Sequence, residues 1–260
     1  MVWSPDETLV AIADAALRGR RLARAALDVI MPPLALDGGR PGDPVQSRGL
    51  SADAWRKVTF IEAPVCDGCG APQAYDTGAP CPACQAHRRA FDRARAAVLY
   101  DDASRDLILK LKRADRTDLA GLFALWLARA ASDLIAEADA VVPAPLHPIR
   151  LLTRRFNQAA EIARPLARRA GVSYLPDVIV RRRHTPTQGG KSGSGRRRNV
   201  AAAFAVPRRA WPKVRGKTIL LVDDVLTTGA TAEACARVLK AAGAARVDVA
   251  SVARVQEHEA

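Results

Sequence analysis

The sequence predicts an α/β fold: a parallel sheet flanked by helices, preceded by an N-terminal helix and a four-cysteine ribbon. Short apolar and β-branched segments, of which Ile219–Val222 is the clearest, alternate with stretches of helical periodicity. That alternation is typical of a parallel sheet covered by helices. Two Cys-x-x-Cys pairs stand ahead of this pattern and indicate a small metal-binding ribbon.

A helix is predicted close to the N-terminus. In Ser4-Pro5-Asp6-Glu7 the serine can cap the helix, proline suits the first helical position, and Glu7 follows three residues after the cap. Apolar residues from Leu9 to Ile30 then share one face. This face could dock on the protein itself, on a partner or on a membrane surface, and we favour the first. A Pro- and Gly-rich linker from Pro32 to about Ser51 completes a region predicted over residues 1–60.

The four paired cysteines predict a zinc ribbon over residues 61–95. Eleven residues separate Cys66-x-x-Cys69 from Cys81-x-x-Cys84, which is enough for four thiolates to surround Zn²⁺ tetrahedrally. Redox chemistry is the weaker alternative, because a thioredoxin-like site needs one such pair beside a βαβ unit. Four protein ligands leave no open position, so the metal is expected to be structural.

The remaining chain, residues 96–260, is expected to form the sheet. The predicted elements are a strand at Ala97–Tyr100, a helix around Leu107–Arg113, a helix at Leu119–Ala136, a strand at Ala140–Pro143, a helix at Thr153–Ala170, a strand at Ile219–Val222 and a helix after Thr231. In such sheets ligands gather beyond the carboxyl ends of the strands. The loops after Val142 and Val222 are therefore expected to open into one crevice.

The segment Lys217–Thr231 carries the clearest chemistry. Asp223 and Asp224 follow the apolar run, and the small hydroxyl residues of Thr227–Thr231 precede the next helix. Free backbone N–H groups at a helix N-terminus favour a phosphate. Adjacent carboxylates suit a diol, or a Mg²⁺ held through water. A phosphate beside a cis-diol corresponds to ribose 5-phosphate.

Two basic segments complete the candidate site. Arg150, Arg154 and Arg155 could hold a pyrophosphate through their guanidinium groups, or they could simply form a solvated start of a helix. The glycine-rich segment Arg181–Arg198 contains seven Lys or Arg residues and is predicted to be a mobile loop. It could close over a polyphosphate or follow a nucleic-acid backbone.

Composition limits the class of protein. The chain has 260 residues, a net charge of +13 and a pI near 10.3, which would attract polyphosphates or nucleic acid. Charged residues interrupt the first thirty positions, so no signal peptide is expected, and no transmembrane segment is expected elsewhere. A cytoplasmic location follows, where thiols stay reduced.

Asp223–Thr231 resembles the PRPP motif of type I phosphoribosyltransferases, in which the acidic pair holds the ribose hydroxyls and the loop holds the 5′-phosphate. From about Leu27 to Arg254, the chain resembles the ComF family of phosphoribosyltransferase-like proteins, which is associated with natural competence and DNA uptake. The residues that carry this resemblance are the four paired cysteines, Tyr100, Arg105–Ile108, Leu111-Lys112, Val142–His147, Arg155–Ala159, Arg183, Thr185, Gln188, Arg198–Val200 and Asp223–Thr231.

The resemblance implies a type I phosphoribosyltransferase fold that binds PRPP with Mg²⁺. The implied catalytic residues are Asp223, Asp224 and Arg155. The implied PRPP-binding residues are Asp223, Asp224, Val225, Leu226, Thr227, Thr228, Gly229, Ala230, Thr231, Arg150 and Arg154. Loop or nucleic-acid contacts are expected at Arg183, Lys191, Arg196, Arg197 and Arg198.

Three functions are compatible with these expectations. The leading one is a PRPP-binding protein that handles incoming single-stranded DNA, with other competence proteins as partners. A nucleobase-salvage phosphoribosyltransferase and a PRPP-sensing, nucleic-acid-binding regulator without catalysis are the alternatives. Two departures from the family pattern are the longer Pro/Gly-rich insertion before the cysteines and the glycine-rich stretch Gly189–Gly195.

Overall fold

The computed structural model describes residues 35–37, 49–76, 79–112, 117–146, 156–181 and 203–256. The helix predicted between Ser4 and Ile30 lies outside these residues. The chain divides into two compact units, Met1–Trp55 and Arg56–Ala260. Within the first unit, the Asp37 carboxylate accepts hydrogen bonds of 2.7 Å from the backbone N–H and from the hydroxyl of Ser51. The region boundaries expected after residues 60 and 95 stay predictions.

The described elements follow one another as strands and helices. The helices are α1 (Ala52–Lys57), α2 (Pro82–Ala86), α3 (Asp102–Lys112), α4 (Leu119–Ala130), α5 (Ser132–Ala136), α6 (Gln158–Ala170), α7 (Trp211–Val214) and α8 (Ala230–Ala241). The strands are β1 (Ala94–Leu99), β2 (Ala140–Pro143), β3 (Ser173–Tyr174), β4 (Val180–Arg181), β5 (Phe204–Ala205), β6 (Thr218–Leu226) and β7 (Arg246–Arg254).

Five strands form one sheet in the order β1-β7-β6-β2-β3, and every neighbouring pair is parallel. The parallel α/β fold predicted from the sequence is thereby confirmed. Pro143 of β2 pairs with Val222 of β6, so the loops that follow these strands open at the same edge of the sheet, as expected. Strands β4 and β5 form a separate antiparallel pair.

The core lies on both faces of the central strand β6. Ile219 and Leu221 belong to one buried cluster with Cys235 and Leu239 of α8. Successive side chains of a strand point to opposite faces, so the fully buried Leu220 faces the other side, where α4 and α6 pack against each other and against the sheet. Burying each such side chain contributes about 1.5–3 kcal/mol.

The strand that carries the acidic pair is longer than the sequence predicted. A strand ending at Val222 was expected, but β6 continues through both aspartates to Leu226. It does so because β7 pairs with it up to the register Leu226–Arg254. Strand β7 itself was not predicted, because its apolar run is interrupted by Asp248, a buried carboxylate that pairs with Arg93.

Two predicted helices also differ from the observed ones. The helix expected over Leu119–Ala136 is interrupted at Ala131, whose φ of −116° and ψ of 28° are not helical. The helix expected from Thr153 begins, in the described part, at Gln158. Asn157 caps it in an extended conformation, and its side-chain oxygen accepts a 3.1 Å hydrogen bond from the N–H of Ala159.

Candidate functional site

The acidic pair lies near the carboxyl end of the central strand. Both aspartates are partly buried, and Asp223 Oδ1 accepts a 2.9 Å hydrogen bond from the backbone N–H of Asp224. Lys112 Nζ, at the end of α3, lies 2.8 Å from Asp224 Oδ2. The two carboxylates are therefore held together by the strand that carries them and compensated by a lysine from another element.

The electrostatics of Asp223 follow from this crowding. Burial and the negative charge of Asp224 raise the pKa of Asp223 to about 7, and the Asp224 N–H and the positive charges of Lys112 and Arg181 only partly oppose that rise. Arg181 stands at the end of β4, and its guanidinium lies 5.2 Å from the centre of the Phe204 ring. Near neutral pH, Asp223 can therefore either hold a proton or accept hydrogen bonds from hydroxyl groups.

The loop after β6 is short and ends in a helix, as predicted. Gly229 adopts a left-handed conformation (φ 78°), and α8 begins at Ala230. A side chain larger than glycine is strained in that conformation. The first backbone N–H groups of an α-helix have no partner within the helix. Thr227 is exposed beside them and Thr228 is partly exposed, so the loop combines free N–H groups with two hydroxyl groups.

A buried ion cluster lies beneath this loop. Glu233, in the first turn of α8, has only 3% of its side chain exposed. Its carboxylate lies 3.2 Å from Arg89 and 3.3 Å from Arg237, and His87 is 3.5 Å away. Arg89 also donates a 3.0 Å hydrogen bond to the carbonyl oxygen of Thr228. The loop is therefore held from below by a residue that follows the cysteine pairs.

The predicted site residues divide into those the structure brings together and those it does not describe. Asp223, Asp224 and Thr227–Thr231 form one continuous edge, with Val225 partly buried and Leu226 buried beside them. Arg150, Arg154, Arg155, Arg183, Lys191 and Arg196–Arg198 lie outside the described residues. Asn157, two residues after Arg155 in the sequence, donates a 3.0 Å hydrogen bond to the carbonyl oxygen of Ala144, the residue directly after β2.

The four paired cysteines converge as the spacing predicted. The Sγ atoms of Cys66, Cys69, Cys81 and Cys84 all lie within 4.8 Å of one another, and Cys69 and Cys81 are 3.6 Å apart. Tetrahedral coordination at about 2.3 Å would place sulfur atoms about 3.8 Å apart. The arrangement therefore fits a metal ion bound by four thiolates.

The thiols are crowded enough to disfavour several negative charges without a cation. Burial and the neighbouring Cys69 raise the pKa of Cys84 well above its ordinary value, and burial also raises that of Cys69 despite the charge of Arg254. Burial likewise acts to raise the pKa of Cys66, but the backbone N–H groups of Cys81 and Cys69 outweigh it and bring the pKa to about 7. A bound cation would allow all four to ionise.

The fifth cysteine lies elsewhere. Cys235 is fully buried in α8, within the core cluster, where cysteine behaves as a small apolar residue. The first cysteine pair instead touches the sheet directly, because Arg254 at the end of β7 donates a hydrogen bond to the Cys69 carbonyl oxygen. The four-cysteine cluster is thus attached to the sheet beside the edge that carries the acidic pair.

Three cations of this site were not identified from the sequence. Lys112 was noted only among the basic residues that end a predicted helix and as part of a family motif, Arg181 only as part of a basic loop, and Arg89 not at all. Each meets its partner through tertiary structure: Lys112 meets Asp224, and Arg89 meets Thr228 across 139 residues of sequence. The only signal in the sequence was a basic residue near the end of a predicted helix or after a Cys-x-x-Cys pair. Such residues are too common to identify a site.

Comparison with known proteins agrees with this geometry. A family model described as a phosphoribosyl transferase domain matches residues 157–260. Competence protein F of Haemophilus influenzae is 36% identical over 118 residues, which cover 45% of this chain and 50% of that protein. The DNA utilization protein YhgH of Salmonella typhimurium is 32% identical over 191 residues, covering 71% of this chain and 82% of that protein. Competence protein ComFC of Streptococcus pneumoniae is 30% identical over 160 residues, covering 62% and 67%.

The parallel sheet, the acidic pair at its edge and the matching domain model define a phosphoribosyltransferase-like protein. The relatives make the assignment more specific, because the Salmonella typhimurium protein is 32% identical over 71% of this chain and 82% of its own length. The chain belongs to the ComF family of phosphoribosyltransferase-like proteins. In the part of the chain that the structure describes, no helix has both the length and the apolar character needed to cross a membrane.

Proposed function

We propose that this protein binds PRPP together with Mg²⁺ and acts in the handling of incoming single-stranded DNA. The ribose hydroxyls lie on Asp223 and Asp224, and the 5′-phosphate lies on the Thr227–Thr231 loop. Arg150, Arg154 and Arg155 contact the pyrophosphate. The observation that carries the proposal is the order along the central strand and the segment after it: a pair of carboxylates, then a glycine-containing loop, then the N-terminus of a twelve-residue helix.

The aspartate pair and the loop before α8 differ in chemistry, and this difference supports the proposed orientation of PRPP. Carboxylates repel a phosphate but accept hydrogen bonds from a diol, whereas free N–H groups and the positive end of the α8 dipole favour a phosphate. When bound with PRPP, Mg²⁺ neutralises phosphate charge and orients the pyrophosphate. Asp223, with a pKa of about 7, accepts a ribose hydroxyl better as the pH rises above neutrality.

Calorimetry with PRPP and Mg²⁺ tests the assignment. The double variant Asp223→Asn, Asp224→Asn removes two charge-assisted hydrogen bonds of about 1.5–3 kcal/mol each, so affinity should fall at least a hundredfold. Asp102→Asn with Asp106→Asn removes the same charge from exposed positions on α3 and should leave the affinity within about threefold. Equal PRPP affinity of the two double variants would refute the placement of the ribose on Asp223 and Asp224.

The role in DNA handling is supported by the relatives and by charge. The relatives named above are two competence proteins and a DNA utilization protein, and a net charge of +13 attracts a phosphate backbone. Single-stranded DNA and other competence proteins are the proposed partners. The cytoplasm is the proposed location, where four thiols stay reduced for metal binding.

Whether PRPP is consumed can be tested directly. If the protein is an enzyme, C1 of PRPP loses pyrophosphate as a nucleophile attacks, while arginine and loop N–H groups stabilise the developing charge. Screening the purified protein for pyrophosphate release with each nucleobase distinguishes the alternatives. Base-dependent release indicates nucleobase salvage, whereas PRPP binding without release indicates a sensor or a DNA-handling protein.

We also propose that the metal of the four-cysteine cluster is a structural Zn²⁺. Four thiolates suit zinc and leave no open coordination position. Elemental analysis should find about one zinc per chain and much less in Cys84→Ser. Cys235→Ala, which removes a thiol from the core, should keep its zinc. A zinc content well below one per chain in the unaltered protein would refute the proposal.

A further inference from the structure

Arg89 connects the second cysteine pair to the loop between β6 and α8. It follows Cys84 by five residues, and only 10% of its side chain is exposed. Its Nη1 donates to the Thr228 carbonyl oxygen at 3.0 Å and to Glu233 Oε1 at 3.2 Å. Burial lowers the pKa of Arg89, but the hydrogen bond to Glu233 and the charge of that carboxylate outweigh this and raise it. His87, three residues after Cys84, lies 3.5 Å from the same carboxylate. The segment that follows the second cysteine pair therefore contacts both the loop and the helix after it.

The contact with Thr228 has a geometric consequence. In a trans peptide the C=O and the following N–H point in opposite directions. A donor that holds the Thr228 carbonyl from the protein side therefore turns the Gly229 N–H toward the open side of the loop. Gly229 permits this arrangement because of its positive φ, and a Cβ there would lie 3.5 Å from Arg89 Nη1. The N–H that Arg89 orients belongs to the proposed phosphate-binding group.

Arg89 also removes an electrostatic conflict. Glu233 is buried in the first turn of α8, where an ionised carboxylate would repel a phosphate bound at the helix N-terminus. Its ion pair with Arg89 compensates this charge locally. Arg237 pairs with the same carboxylate at 3.3 Å, but its side chain is 46% exposed, and the contacts described for it do not include Thr228.

We propose that Arg89 is a positioning residue that couples the four-cysteine metal site to the Thr227–Thr231 loop, the proposed phosphate site. A metal ion fixes the second cysteine pair, the pair fixes Arg89, and Arg89 orients the peptide between Thr228 and Gly229 for a phosphate. This inference rests on the proposed function, and it makes metal binding a condition for tight PRPP binding.

The first experiment compares Arg89→Met with Arg237→Met, because each variant removes one cation from Glu233. PRPP affinity, measured by calorimetry with Mg²⁺, should fall about tenfold in Arg89→Met through the lost charge-assisted hydrogen bond, and should stay within about twofold in Arg237→Met. Arg89→Lys should recover part of the loss. Zinc content should be unchanged in all three. Equal affinities of Arg89→Met and Arg237→Met would overturn the inference.

The second experiment uses hydrogen exchange without PRPP, so that it also succeeds or fails independently of the proposed ligand. The Glu233 amide closes the loop by donating a 2.8 Å hydrogen bond to the Gly229 carbonyl oxygen. It should exchange about tenfold faster in Arg89→Met than in the unaltered protein, whereas amides of β6 and β7 should not change. Removing zinc from the unaltered protein should produce the same local acceleration, and removing it from Arg89→Met should add little. Unchanged exchange of the Glu233 amide in Arg89→Met would overturn the coupling.

The outcomes also separate this inference from the proposed function. If the unaltered protein fails to bind PRPP, the proposed function is wrong, while faster exchange of the Glu233 amide in Arg89→Met would still support the structural coupling. If PRPP binds and depends on Asp223 and Asp224 but not on Arg89, the site assignment is supported and the coupling is wrong. Should zinc removal unfold the sheet, faster exchange of the amides of β6 and β7 would reveal it, and the Arg89 variants would then decide the question.

Discussion

The raised pKa of Asp223 makes the stability of the folded protein depend on pH. Its folded pKa of about 7 exceeds the ordinary value of 3.8, so between these values the folded state binds more protons than the unfolded state. The free energy of unfolding therefore falls as pH rises through this window. Asp223→Asn lacks this titration. We expect the Tm of Asp223→Asn to exceed that of the unaltered protein by more at pH 8 than at pH 5. Each kcal/mol of difference in the free energy of unfolding should shift Tm by about 2–4 °C.

Thermal unfolding of both proteins between pH 5 and pH 8 tests whether the difference in Tm grows with pH. A difference in Tm that is constant with pH would show that Asp223 titrates at its ordinary pKa in the folded protein. PRPP affinity provides a second check, because the ionised carboxylate is the better acceptor for ribose hydroxyls. The affinity of the unaltered protein should rise more steeply between pH 6 and pH 8 than that of Asp223→Asn, since phosphate ionisation affects both equally.

Lys112 gives a second prediction at the scale of one residue. Its ammonium group lies 2.8 Å from Asp224 and brings positive charge to the place where a polyanion is expected to bind. Lys112→Met should weaken PRPP binding about tenfold, through loss of one partly buried charge interaction. Lys110→Met, two positions earlier on the same helix and paired with Asp106 at 2.8 Å, should change the affinity by less than about twofold.

Calorimetry with PRPP and Mg²⁺ measures both lysine variants. Tighter binding by Lys112→Met would contradict the prediction, because it would mean that the lysine competes with the ribose for Asp224. Equal effects of the two substitutions would mean that only the overall charge of α3 matters. Denaturant unfolding of both variants should differ by no more than about 1 kcal/mol, because neither ion pair is fully buried.

The elements predicted best are those whose chemistry is contiguous in sequence. Each cysteine pair, the aspartate pair and the Gly229 loop lies within a few residues, so local geometry places the side chains of each group together. The contacts of Arg89 with Thr228 and of Lys112 with Asp224 depend on how distant elements meet. The hydrophobic periodicity of one segment carries no information about tertiary contacts with another.

Strand boundaries were predicted poorly for a related reason. The length of β6 is set by its partner β7, because ladder hydrogen bonds continue wherever the neighbouring strand continues. Strand β7 escaped prediction because its buried Asp248 is compensated by Arg93 and Arg246, which pair with it at 3.2 Å and 3.0 Å. A charge within an apolar run normally argues against burial, and the compensating arginines are recognisable only in the folded protein.

The loop between β6 and α8 can be tested as an element by substituting glycine. Gly229→Ala places an L side chain at a φ of 78°, which should cost about 1–2 kcal/mol of stability and weaken PRPP binding. Gly121→Ala is the matched control, because a Cβ there meets nothing within 4 Å and the residue lies inside α4. That control should stabilise the protein by about 0.5–1 kcal/mol. Urea unfolding of both variants measures the difference, and a neutral Gly229→Ala would argue against a constrained loop.

At the scale of the whole molecule, the two edges of the sheet differ in chemistry. The carboxyl edge carries the acidic pair and the loop between β6 and α8, which is the proposed phosphate site. The opposite edge is held by ion pairs in which Glu137 bridges Arg93 at 3.0 Å and Arg246 at 2.6 Å, and Lys240 reaches Asp92. Together with Asp248, which pairs with both arginines, these three cations and three carboxylates balance, so the excess positive charge of +13 comes from other residues.

The last prediction concerns where that excess charge meets nucleic acid. If the segment containing Arg196, Arg197 and Arg198 follows a single-stranded backbone, binding should show little sequence preference. The logarithm of affinity should fall with the logarithm of salt concentration at a slope of about 0.7 per phosphate neutralised. Aromatic residues form only 5% of the chain, so stacking should contribute little. Replacing the three arginines by glutamine should reduce the slope by up to about 2.

A control of equal charge makes this test specific. Arg208, Arg209 and Lys213 are exposed, and replacing all three by glutamine lowers the net charge by the same amount at a defined surface outside the basic segment. Fluorescence anisotropy with a labelled oligonucleotide across a salt series, with and without PRPP, compares the two triple variants. A reduced slope only in the first variant supports the segment as the DNA contact. Equal reductions would mean that net charge alone governs binding, and weaker PRPP binding with an unchanged slope would mean that the segment serves the PRPP site instead.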